Sequence, residues 1–475
     1  MLELDGIRRV FADIVGERNV VVGGEARYGW GALMGYRAFR RPKLRRENLI
    51  IITPGSAEEV AEVVKTANRN GIPVIPYGGG TGVMGGIAPT VEPAVMIDLR
   101  RMDRVIEVSY EDLTATAEAG VSIQKLNEAA AEKGLMFAHD PWSAPRATLG
   151  GAIATSGMGY YVAGYGSIRE QVLGLEVVLP NGEILETRPA EFTSTGPSLK
   201  HIFIGSEGVF GVVTKATVRL HPLPEAEAML GYEFPSFDAG FNAVKAMRRA
   251  KIRTSVLDMG EEAYGDADPT HDYEAELFIL VEGFKEEVEA KISRIEKICR
   301  EYGGERLSEG WAREFWKNRH ALIHVYEKYL ETGRDVEWLH ENLLDYIHVY
   351  LPTSKVLEYK KKTAEIMKQH GLLLYERGLW GYPEVFSIVF YRPAEPSREE
   401  ALEEAEEAID KMLTLCQGMG GSMEHCHGVG IKLAKHMLRE HGEAGIKLLQ
   451  TLKNAIDQNN VMNPGKLIPK TSGLT

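Results

Sequence analysis

"VIPYGGGTGVMGG" (residues 74–86) holds six glycines within nine positions, and this stretch decides how the N-terminal half is interpreted. Gly80, Gly82 and Gly85 match the G-x-G-x-x-G spacing of the dinucleotide fingerprint. In a Rossmann unit that fingerprint follows a strand and opens a helix, whose N-terminus faces the pyrophosphate. The flanking residues therefore indicate whether the loop belongs to that class.

The helix signal lies before these glycines rather than after them. "SAEEVAEVVKTANRNG" (56–71) has a capping box of Ser56 and Glu59, an apolar helical stripe and a terminal glycine. The strand-like "IPVIPY" follows it, and the residues after the glycine loop contain two prolines and further strand-like runs. We therefore predict a different glycine loop, whose backbone N–H groups could form a nest for phosphate because glycine lacks a Cβ atom. A solvated surface turn is the alternative.

Two more segments rich in glycine follow within about 150 residues. They are "HDPWSAPRATLGGAIATSGMGYYVAGYGSI" (139–168) and "IFIGSEGVFGVVTKATVRLHP" (202–222). The first is poor in charge and rich in small residues, as a segment wrapped around a large ligand would be. Between them, "LGLEVVLPNGEILET" predicts a hairpin with Asn181-Gly182 in a type I′ turn. Together, the three segments predict one shared, extended, anionic ligand.

Length and composition exclude several classes of protein. The 475 residues exceed one ordinary core, so two domains are expected. The net charge of −13, from 55 basic and 68 acidic residues, argues against a nucleic-acid partner or a general affinity for anionic membranes. Cys299, Cys416 and Cys426 have no paired spacing, which favours a reducing cytoplasm. We find no signal-length apolar run at the N-terminus and no transmembrane window.

The pattern of predicted elements changes after "HPLPEAE" (221–227), which is typical of a domain boundary. Beyond it, strands such as "AELFILVEGF" and "EVFSIVFYRP" alternate with helices near 284–302, 353–370 and 397–416. This pattern predicts an α+β fold with an antiparallel sheet and helices on one face.

Five ordered motifs give the chain a resemblance to a known family. They are "PYGGGTGVMGG", "DPWSAPRATLGGAIATSGMG", "YGSIREQVLGLEVVLPNG", "GSEGVFGVVTKATVRL" and "NVMNPGKLI". They resemble the FAD-binding fold of the vanillyl-alcohol-oxidase or p-cresol-methylhydroxylase (PCMH) type, and are nearest to the D-lactate dehydrogenase/glycolate oxidase subunit group and the alkyldihydroxyacetonephosphate synthases. The resemblance implies a two-part FAD-binding domain from residues 1–222 and 421–475, with an α+β substrate or cap domain over 223–420.

The resemblance also implies which residues hold FAD. The first glycine loop would cradle the pyrophosphate, the second segment would line the flavin and ribityl chain, and the third would contact the adenine side or ring edge. The implied cofactor residues are Pro76, Tyr77, Gly78, Gly79, Gly80, Thr81, Gly82, Pro141, Trp142, Ser143, Thr148, Gly151, Thr155, Ser156, Gly157, Met158, Glu207, Gly208, Val212, Val213, Asn463 and Lys466. The first loop has no histidine or cysteine, so non-covalent FAD is expected.

The sequence "GGSMEHCHGVGIKLAKHM" contains the candidate catalytic base. Histidine is the usual base near neutral pH. On an extended segment His425 and His427 would share one face, with Glu424 and Cys426 on the other. His427 occupies the position that both related branches keep, so it is the predicted base, with His425 as its helper or a substrate contact.

Two further expectations concern anions and metals. "EFWKNRH" resembles the Trp-x-x-Arg segment of the hydroxy-acid branch, which makes Arg319 the candidate for binding a substrate carboxylate, with Arg377 as a second choice. A surface ion pair is the alternative role for Arg319. No metal is expected, because neighbours on opposite faces cannot easily share one ion. The family segment Gly-His-x-Gly-Asp-Gly-Asn is also replaced by "RGLWGYPEV", which has no histidine.

The resemblance implies three functions in different classes. The first is an FAD-dependent dehydrogenase of a small D-2-hydroxy acid, such as D-lactate or glycolate, that passes electrons to a quinone, cytochrome or electron-transfer protein. The second is an alkyldihydroxyacetonephosphate-synthase-like enzyme, and the third is a flavin electron-transfer subunit. A homodimer, and a peripheral position at a membrane through the electron acceptor, are compatible with the first.

Overall fold

The computed structural model describes residues 4–23, 48–263, 267–332 and 337–468. The strands are β1 (Val20–Val22), β2 (Leu49–Ile52), β3 (Val74–Tyr77), β4 (Ala94–Asp98), β5 (Val105–Ser109), β6 (Thr114–Glu118), β7 (Leu135–Met136), β8 (Val172–Val178), β9 (Ile184–Glu186), β10 (Val212–Arg219), β11 (His221–Pro222), β12 (Ala226–Phe234), β13 (Val256–Glu262), β14 (Ala275–Gly283), β15 (Glu305–Arg306), β16 (Asn342–Tyr350), β17 (Leu373–Trp380) and β18 (Val385–Pro393). The α-helices are α1 (Leu4–Val15), α2 (Ala57–Arg69), α3 (Ile123–Ala131), α4 (Leu149–Thr155), α5 (Val162–Tyr165), α6 (Ile168–Gln171), α7 (Lys200–Phe203), α8 (Phe237–Arg249), α9 (Lys285–Glu301), α10 (Glu309–Asn318), α11 (Ala321–Thr332), α12 (Trp338–Glu341), α13 (Val356–Gln369), α14 (Arg398–Gly418) and α15 (Met437–Ile456).

The first glycine loop follows β3, which belongs to a four-stranded sheet of order β1-β2-β4-β3. Strands β2, β4 and β3 are parallel to one another. Ser56 caps α2 by accepting the Glu59 N–H, and the predicted valine stripe of this helix is buried. The residues between β3 and β4 form turns and bends without a helix. The prediction of a non-Rossmann loop is confirmed.

A five-stranded antiparallel sheet of order β5-β6-β10-β8-β9 carries the predicted hairpin. The predicted type I′ turn at Asn181-Gly182 was wrong. Gly182 has a positive φ of 84°, but Asn181 is not among the residues with positive φ, as a type I′ turn requires. Leu179 N–H donates to the Glu183 carbonyl, which leaves a three-residue loop. Pro180 at its first position fixes φ near −65°, which suits a type I turn followed by a glycine.

The second half of the chain forms a seven-stranded antiparallel sheet of order β15-β12-β14-β13-β17-β18-β16. Alternation along β14 sends Leu277 and Ile279 into the main core with α8 and α9, while Phe278 and Leu280 face the other way. The α+β class is confirmed. The helices are not confined to one face, however, because α10 packs against Phe278 from the opposite side, with Phe315 stacked 4.6 Å away.

The C-terminal segment returns to the strand that precedes the glycine loop. The Val74 N–H of β3 donates to the Val461 carbonyl, and the Asn463 N–H donates to the Val74 carbonyl, each at 2.8 Å. Both ends of the chain therefore contribute to one region. Within the described ranges, no helix has the length and apolarity needed to cross a bilayer.

Candidate active site

A cavity of about 1520 Å³, including its solvent-filled mouth, lies where the three glycine-rich segments meet. Trp380 of β17, Cys426 and His427 complete its wall. Most of the predicted cofactor residues lie on this wall: Pro76, Tyr77, Gly78, Gly79, Gly80, Thr81, Gly82, Pro141, Trp142, Ser143, Thr148, Gly151, Thr155, Gly157, Met158, Glu207, Gly208 and Val213. The three segments thus share one space, as the sequence predicts.

The wall has the chemistry that FAD needs. The described lining residues include many glycines and several hydroxyl groups but no lysine or arginine. Backbone N–H groups must therefore supply the dipoles that hold a diphosphate. Gly79 illustrates the close packing: a Cβ atom there would lie 2.2 Å from the Arg146 carbonyl oxygen, while Arg146 Nε donates to the Gly79 carbonyl at 2.8 Å. The residues present fit FAD.

Four predicted cofactor residues lie outside the cavity wall. Ser156 ends α4 in the left-handed conformation, with φ 53°, and Val212 is buried at the start of β10. Asn463 Nδ2 donates to the Gly86 carbonyl at 2.9 Å and to the Glu207 carbonyl at 2.7 Å. Lys466 is buried, and its Nζ donates to Asn463 Oδ1 at 3.3 Å. Asn463, which Lys466 contacts, therefore links the first and third glycine-rich segments.

Glu207 joins the third glycine segment to the turn that carries the histidines. Its backbone has a positive φ of 52°, and its buried carboxylate accepts the N–H groups of Val429 and Gly430. Burial raises the pKa of Glu207, although the two N–H donors oppose this shift. The side chain fixes the distance between the cavity wall and the residues that follow His427.

The histidine segment is a compact turn, which corrects the expected extended conformation. Glu424 Oε1 accepts the backbone N–H groups of His425, Cys426 and His427 at 3.0, 2.8 and 3.0 Å. Three successive N–H groups that converge on one carboxylate form an anion nest. As a result, Glu424, Cys426 and His427 have ligand atoms within 4.8 Å of one another, rather than on opposite faces. Burial opposes ionisation of Glu424, but His427 and then His425 hold the pKa of its carboxyl below the usual range.

His427 combines access to the cavity with a partner carboxylate. Its side chain is 18% exposed, and its Nδ1 lies 3.5 Å from Glu424 Oε1. The ring centroids of Tyr346 and His348 lie 5.2 and 4.8 Å from that of His427. A histidine oriented by a carboxylate at the edge of a cavity is the arrangement of a general base.

His425, unlike His427, does not line the cavity. Its ring centroid is 5.7 Å from that of His348, and neither of its ring nitrogens makes a hydrogen bond of normal geometry. Burial lowers the pKa of His425 to about 4, although Glu424 acts to raise it. The expected role of His425 as a substrate contact is therefore not favoured by its position.

Arg319 does not line the cavity, although its carbonyl accepts the hydroxyl of Tyr160 on the cavity wall, and its side chain is already paired. Its Nε donates to Asp140 Oδ2 at 2.7 Å, and its guanidinium lies 4.1 Å above the Trp316 ring. His320 Nε2 lies 3.1 Å from the other Asp140 oxygen. Burial opposes ionisation of Asp140, but His320 and then Arg319 lower its pKa. Arg377, the second choice, is in a buried ion pair with Glu261 and is not among the residues that line the cavity.

Two acidic residues lie on the sheet face that carries Trp380. In the strand register Asp258 pairs with Trp380, and Glu376 is two positions from Gly378 on the same face of β17. Burial, and then the charge of Glu376, raises the pKa of Asp258 to about 8. Burial, and then Glu262, raises the pKa of Glu376 to about 7. At neutral pH Asp258 is therefore mainly protonated, whereas Glu376 is about half protonated.

The sequence interpretation missed His348, Tyr346 and Glu424. In "YIHVYLP" Tyr346 and His348 flank Ile347, so the two-residue period of a strand would have placed both side chains on one face. Their distance from His427 depends on the long-range approach of β16 to the C-terminal turn, which no local pattern encodes. Glu424 is close to His427 in sequence, but its role depends on the turn that its own carboxylate stabilises.

The fold and the cavity together define the class of an FAD-binding oxidoreductase. The sequence matches the family described as FAD binding domain over residues 49–188, and the family described as FAD linked oxidases, C-terminal domain, over residues 223–467. The chain belongs to this FAD-linked oxidase family.

Individual relatives agree with this assignment. The D-lactate dehydrogenase of Archaeoglobus fulgidus is 31% identical over 434 residues, which cover 89% of this chain and 92% of that protein. The alkyldihydroxyacetonephosphate synthase of Trypanosoma brucei brucei is 28% identical over 469 residues, covering 90% of this chain and 75% of that protein. The solved p-cresol methylhydroxylase with substrate bound has the same fold, with a TM-score of 0.79 at 18% identity over 99% of this chain and 98% of that chain.

Proposed function

We propose that the protein is an FAD-dependent dehydrogenase of a small D-2-hydroxy acid of the D-lactate or glycolate type. The observation that carries the proposal is His427, which reaches the cavity wall and is held by Glu424. The similarity to a D-lactate dehydrogenase over nearly the whole length of both chains supports the substrate class.

His427 is the proposed base for the substrate hydroxyl. FAD, when bound, accepts a hydride equivalent from the substrate. His427 takes the hydroxyl proton, and the nearby Glu424 carboxylate stabilises the imidazolium that results. The buried surroundings of the turn strengthen this interaction by excluding water.

Arg319 is the proposed partner of the substrate carboxylate. Its Nε and Nη1 are occupied by Asp140 and the Trp316 carbonyl, while no hydrogen bond is found for its Nη2 within the described residues. Asp140 and Trp316 hold the guanidinium in one orientation, so less conformational entropy is lost when an anion binds.

We further propose that the electrons pass to a cytochrome, a quinone or an electron-transfer protein. This acceptor would meet the protein in the cytoplasm or at a membrane surface. A homodimer is compatible with this function.

The second candidate is a synthase-like reaction on a glycerone-phosphate ester. It is favoured by His425-Cys426-His427, which resembles the His-His-His-Gly motif of that branch, and by the relative from Trypanosoma brucei brucei. In that reaction the flavin would serve without net oxidation of the substrate.

Anaerobic titration of the purified yellow protein separates these functions. D-lactate or glycolate should bleach the oxidised flavin band, and the L-enantiomer of lactate serves as the matched control. If every 2-hydroxy acid leaves the band unchanged while an alkyl-glycerone phosphate removes it, the synthase-like function replaces the proposal. If no substrate changes the band, an electron-transfer subunit is the better description.

A further inference from the structure

One face of the seven-stranded sheet continues from the flavin cavity into a polar region that the proposed oxidation does not use. Trp380 of β17 lies on the cavity wall, and Asp258 of β13 is its partner in the strand register. Glu376 and Gly378 lie on the same face of β17 as Trp380, because side chains alternate along a strand. This face therefore connects the two acidic residues with the cavity.

Two glycines leave the middle of this face without side chains. Gly260 and Gly378 are partners in the register of β13 and β17. The three atoms nearest to the position of a Cβ at Gly260 all belong to Glu376, at 3.4 to 4.0 Å. A glycine inside a strand costs roughly 0.5–1 kcal/mol relative to alanine and often marks a place where a ligand approaches closely. The paired glycines therefore leave room for a ligand above the strands.

A buried serine points into the same space. Ser387 of β18 is the register partner of Gly378 and is only 2% exposed. Its Oγ lies 3.2 Å from the position of a Cβ at Gly378, and Glu376 Oε1 lies 3.3 Å from that position. Within the described ranges, no hydrogen bond is found for the Ser387 hydroxyl. Because buried polar groups nearly always have a partner, Ser387 independently indicates a water molecule or a polar ligand in this space.

The two carboxyl groups are also available to a ligand. Asp258 and Glu376 are half-buried, and neither carboxyl group makes a hydrogen bond to the part of the chain that the structure describes. Burial and then a second carboxyl group raise the pKa of each, and no described cation offsets this. At neutral pH the protonated Asp258 donates a hydrogen bond, whereas Glu376, about half ionised, either donates or accepts one.

We propose that Asp258, Glu376 and Ser387 form a subsite for the far end of the substrate, and that this substrate is a 2-hydroxy acid with further hydroxyl groups along its chain. Because it rests on the proposed function, the subsite narrows the substrate class of that function. A hydroxyl group donates and accepts hydrogen bonds, so it matches all three side chains. A second carboxylate in the substrate would need a cation, and the three side chains supply none.

The subsite is within reach of the reacting atoms for a longer acid. His348, whose ring centroid is 4.8 Å from that of His427, is the register partner of Ser387. Neighbouring strands are about 4.8 Å apart, so Gly378 lies about 10 Å across the sheet from His348. D-lactate has three carbon atoms joined by bonds of about 1.5 Å and cannot span this distance, whereas a hydroxylated chain of six carbon atoms covers most of it.

Tyr160 connects the subsite with the cavity. It lies on the cavity wall, and its hydroxyl donates to the Arg319 carbonyl at 3.1 Å. Burial and then the charge of Asp258 raise the pKa of Tyr160, while the charge of Arg319 acts against this shift. Tyr160 is therefore close to the proposed carboxylate-binding residue and to the subsite.

A pair of acids of equal length tests the proposal. D-gluconate carries hydroxyl groups beyond C2, and D-2-hydroxyhexanoate has the same chain length without them. We expect kcat/KM of the flavin-loaded protein to be at least about ten-fold higher for D-gluconate, the value of one or two hydrogen bonds. Steady-state kinetics with an artificial electron acceptor measures both. Equal values, or a higher value for D-2-hydroxyhexanoate, would overturn the proposal.

Variants test the individual side chains. Glu376→Leu and Ser387→Ala should each lower the ratio of the two kcat/KM values by about 5- to 10-fold. Glu305→Leu is the matched control, because Glu305 is exposed on β15 of the same sheet, and it should keep the wild-type ratio. The flavin band of each variant reports whether it is folded. A wild-type ratio in both Glu376→Leu and Ser387→Ala would overturn the assignment.

Binding to the dithionite-reduced protein separates the subsite from the proposed oxidation. Reduced flavin cannot accept a hydride, so calorimetric titration measures affinity without turnover. We expect a Kd for D-gluconate at least about ten-fold below that for D-2-hydroxyhexanoate, and a smaller difference in Glu376→Leu. If this difference is found although no 2-hydroxy acid reduces the flavin, the proposed oxidation fails and the subsite stands. If 2-hydroxy acids reduce the flavin but the difference is absent, the subsite alone fails.

Discussion

At the scale of single residues, each candidate catalytic side chain is paired with a carboxylate. His427 lies near Glu424 of its own turn, whereas Arg319, at the C-terminal end of α10, is paired with Asp140 of the second glycine segment. Asp140 is 179 residues away from Arg319 in sequence. The cation is therefore partly neutralised and held in one orientation, which suits recognition of one carboxylate better than a free surface arginine would.

Replacing Arg319 tests its proposed contact with the substrate carboxylate. We expect Arg319→Ala to raise KM for D-lactate by about 10- to 100-fold, roughly the value of a charge-assisted hydrogen bond, with a smaller effect on kcat. Steady-state kinetics with an artificial electron acceptor measures both constants. Arg313→Ala is the matched control, because Arg313 lies on α10, which ends just before Arg319, and forms an exposed pair with Glu309. An unchanged KM would assign the carboxylate to another residue.

At the scale of secondary-structure elements, local sequence patterns predicted the helices and loops that local interactions determine. The Ser56 cap and the apolar stripe predicted α2, although Glu59 accepts the Gly55 N–H and does not complete the capping box. The glycine loop without a following helix excluded a Rossmann unit. The type I′ turn failed because Pro180 restricts the backbone before Asn181. The extended histidine segment failed because a side chain, Glu424, reorganises three backbone N–H groups. Sequence periodicity does not reveal the restriction by Pro180 or the hydrogen bonds to Glu424. The contact between His348 and His427 is a tertiary contact, which local sequence does not encode.

The acidic residues on β13 and β17 make stability depend on pH. The folded pKa values of Asp258 and Glu376, about 8 and about 7, lie above the ordinary values of 3.8 and 4.5. Between about pH 4 and 7 the unfolded chain releases these protons while the folded protein keeps most of them, so the free energy of unfolding falls as pH rises.

Asp258→Asn should weaken this dependence. Because asparagine has no proton to release, the fall in unfolding free energy between about pH 5 and 8 should be smaller by about 1 to 3 kcal/mol. Urea denaturation at several pH values provides the measurement. Glu305→Gln, an exposed change on β15 of the same sheet, should leave the wild-type profile. Identical profiles for Asp258→Asn and the wild type would show that Asp258 is ionised in the fold.

At the scale of the whole molecule, FAD is expected to link parts of the chain that are distant in sequence. The cavity draws on three glycine segments and the histidine turn, and Asn463 ties the C-terminal return to two of those segments. A ligand that binds only this assembled state stabilises all of its parts together.

Removing the flavin should therefore lower stability, and restoring it should reverse the loss. FAD at 100 to 1,000 times its Kd should add about 3 to 4 kcal/mol to the free energy of unfolding, with a higher Tm by calorimetry. Riboflavin is the control, because it lacks the diphosphate that the glycine loop is expected to hold, and it should stabilise much less. Equal stabilisation by the two compounds would contradict a diphosphate cradle in the first glycine loop.

The central claim is that His427 accepts the substrate proton beside a flavin held by the glycine segments. Its most direct test is anaerobic stopped-flow reduction of the flavin by D-lactate in the wild type and His427→Ala, with His370→Ala as a control outside the cavity. The account predicts that His427→Ala keeps its FAD but is reduced about 10²- to 10⁴-fold more slowly. A His427→Ala variant that is reduced at the wild-type rate would contradict it.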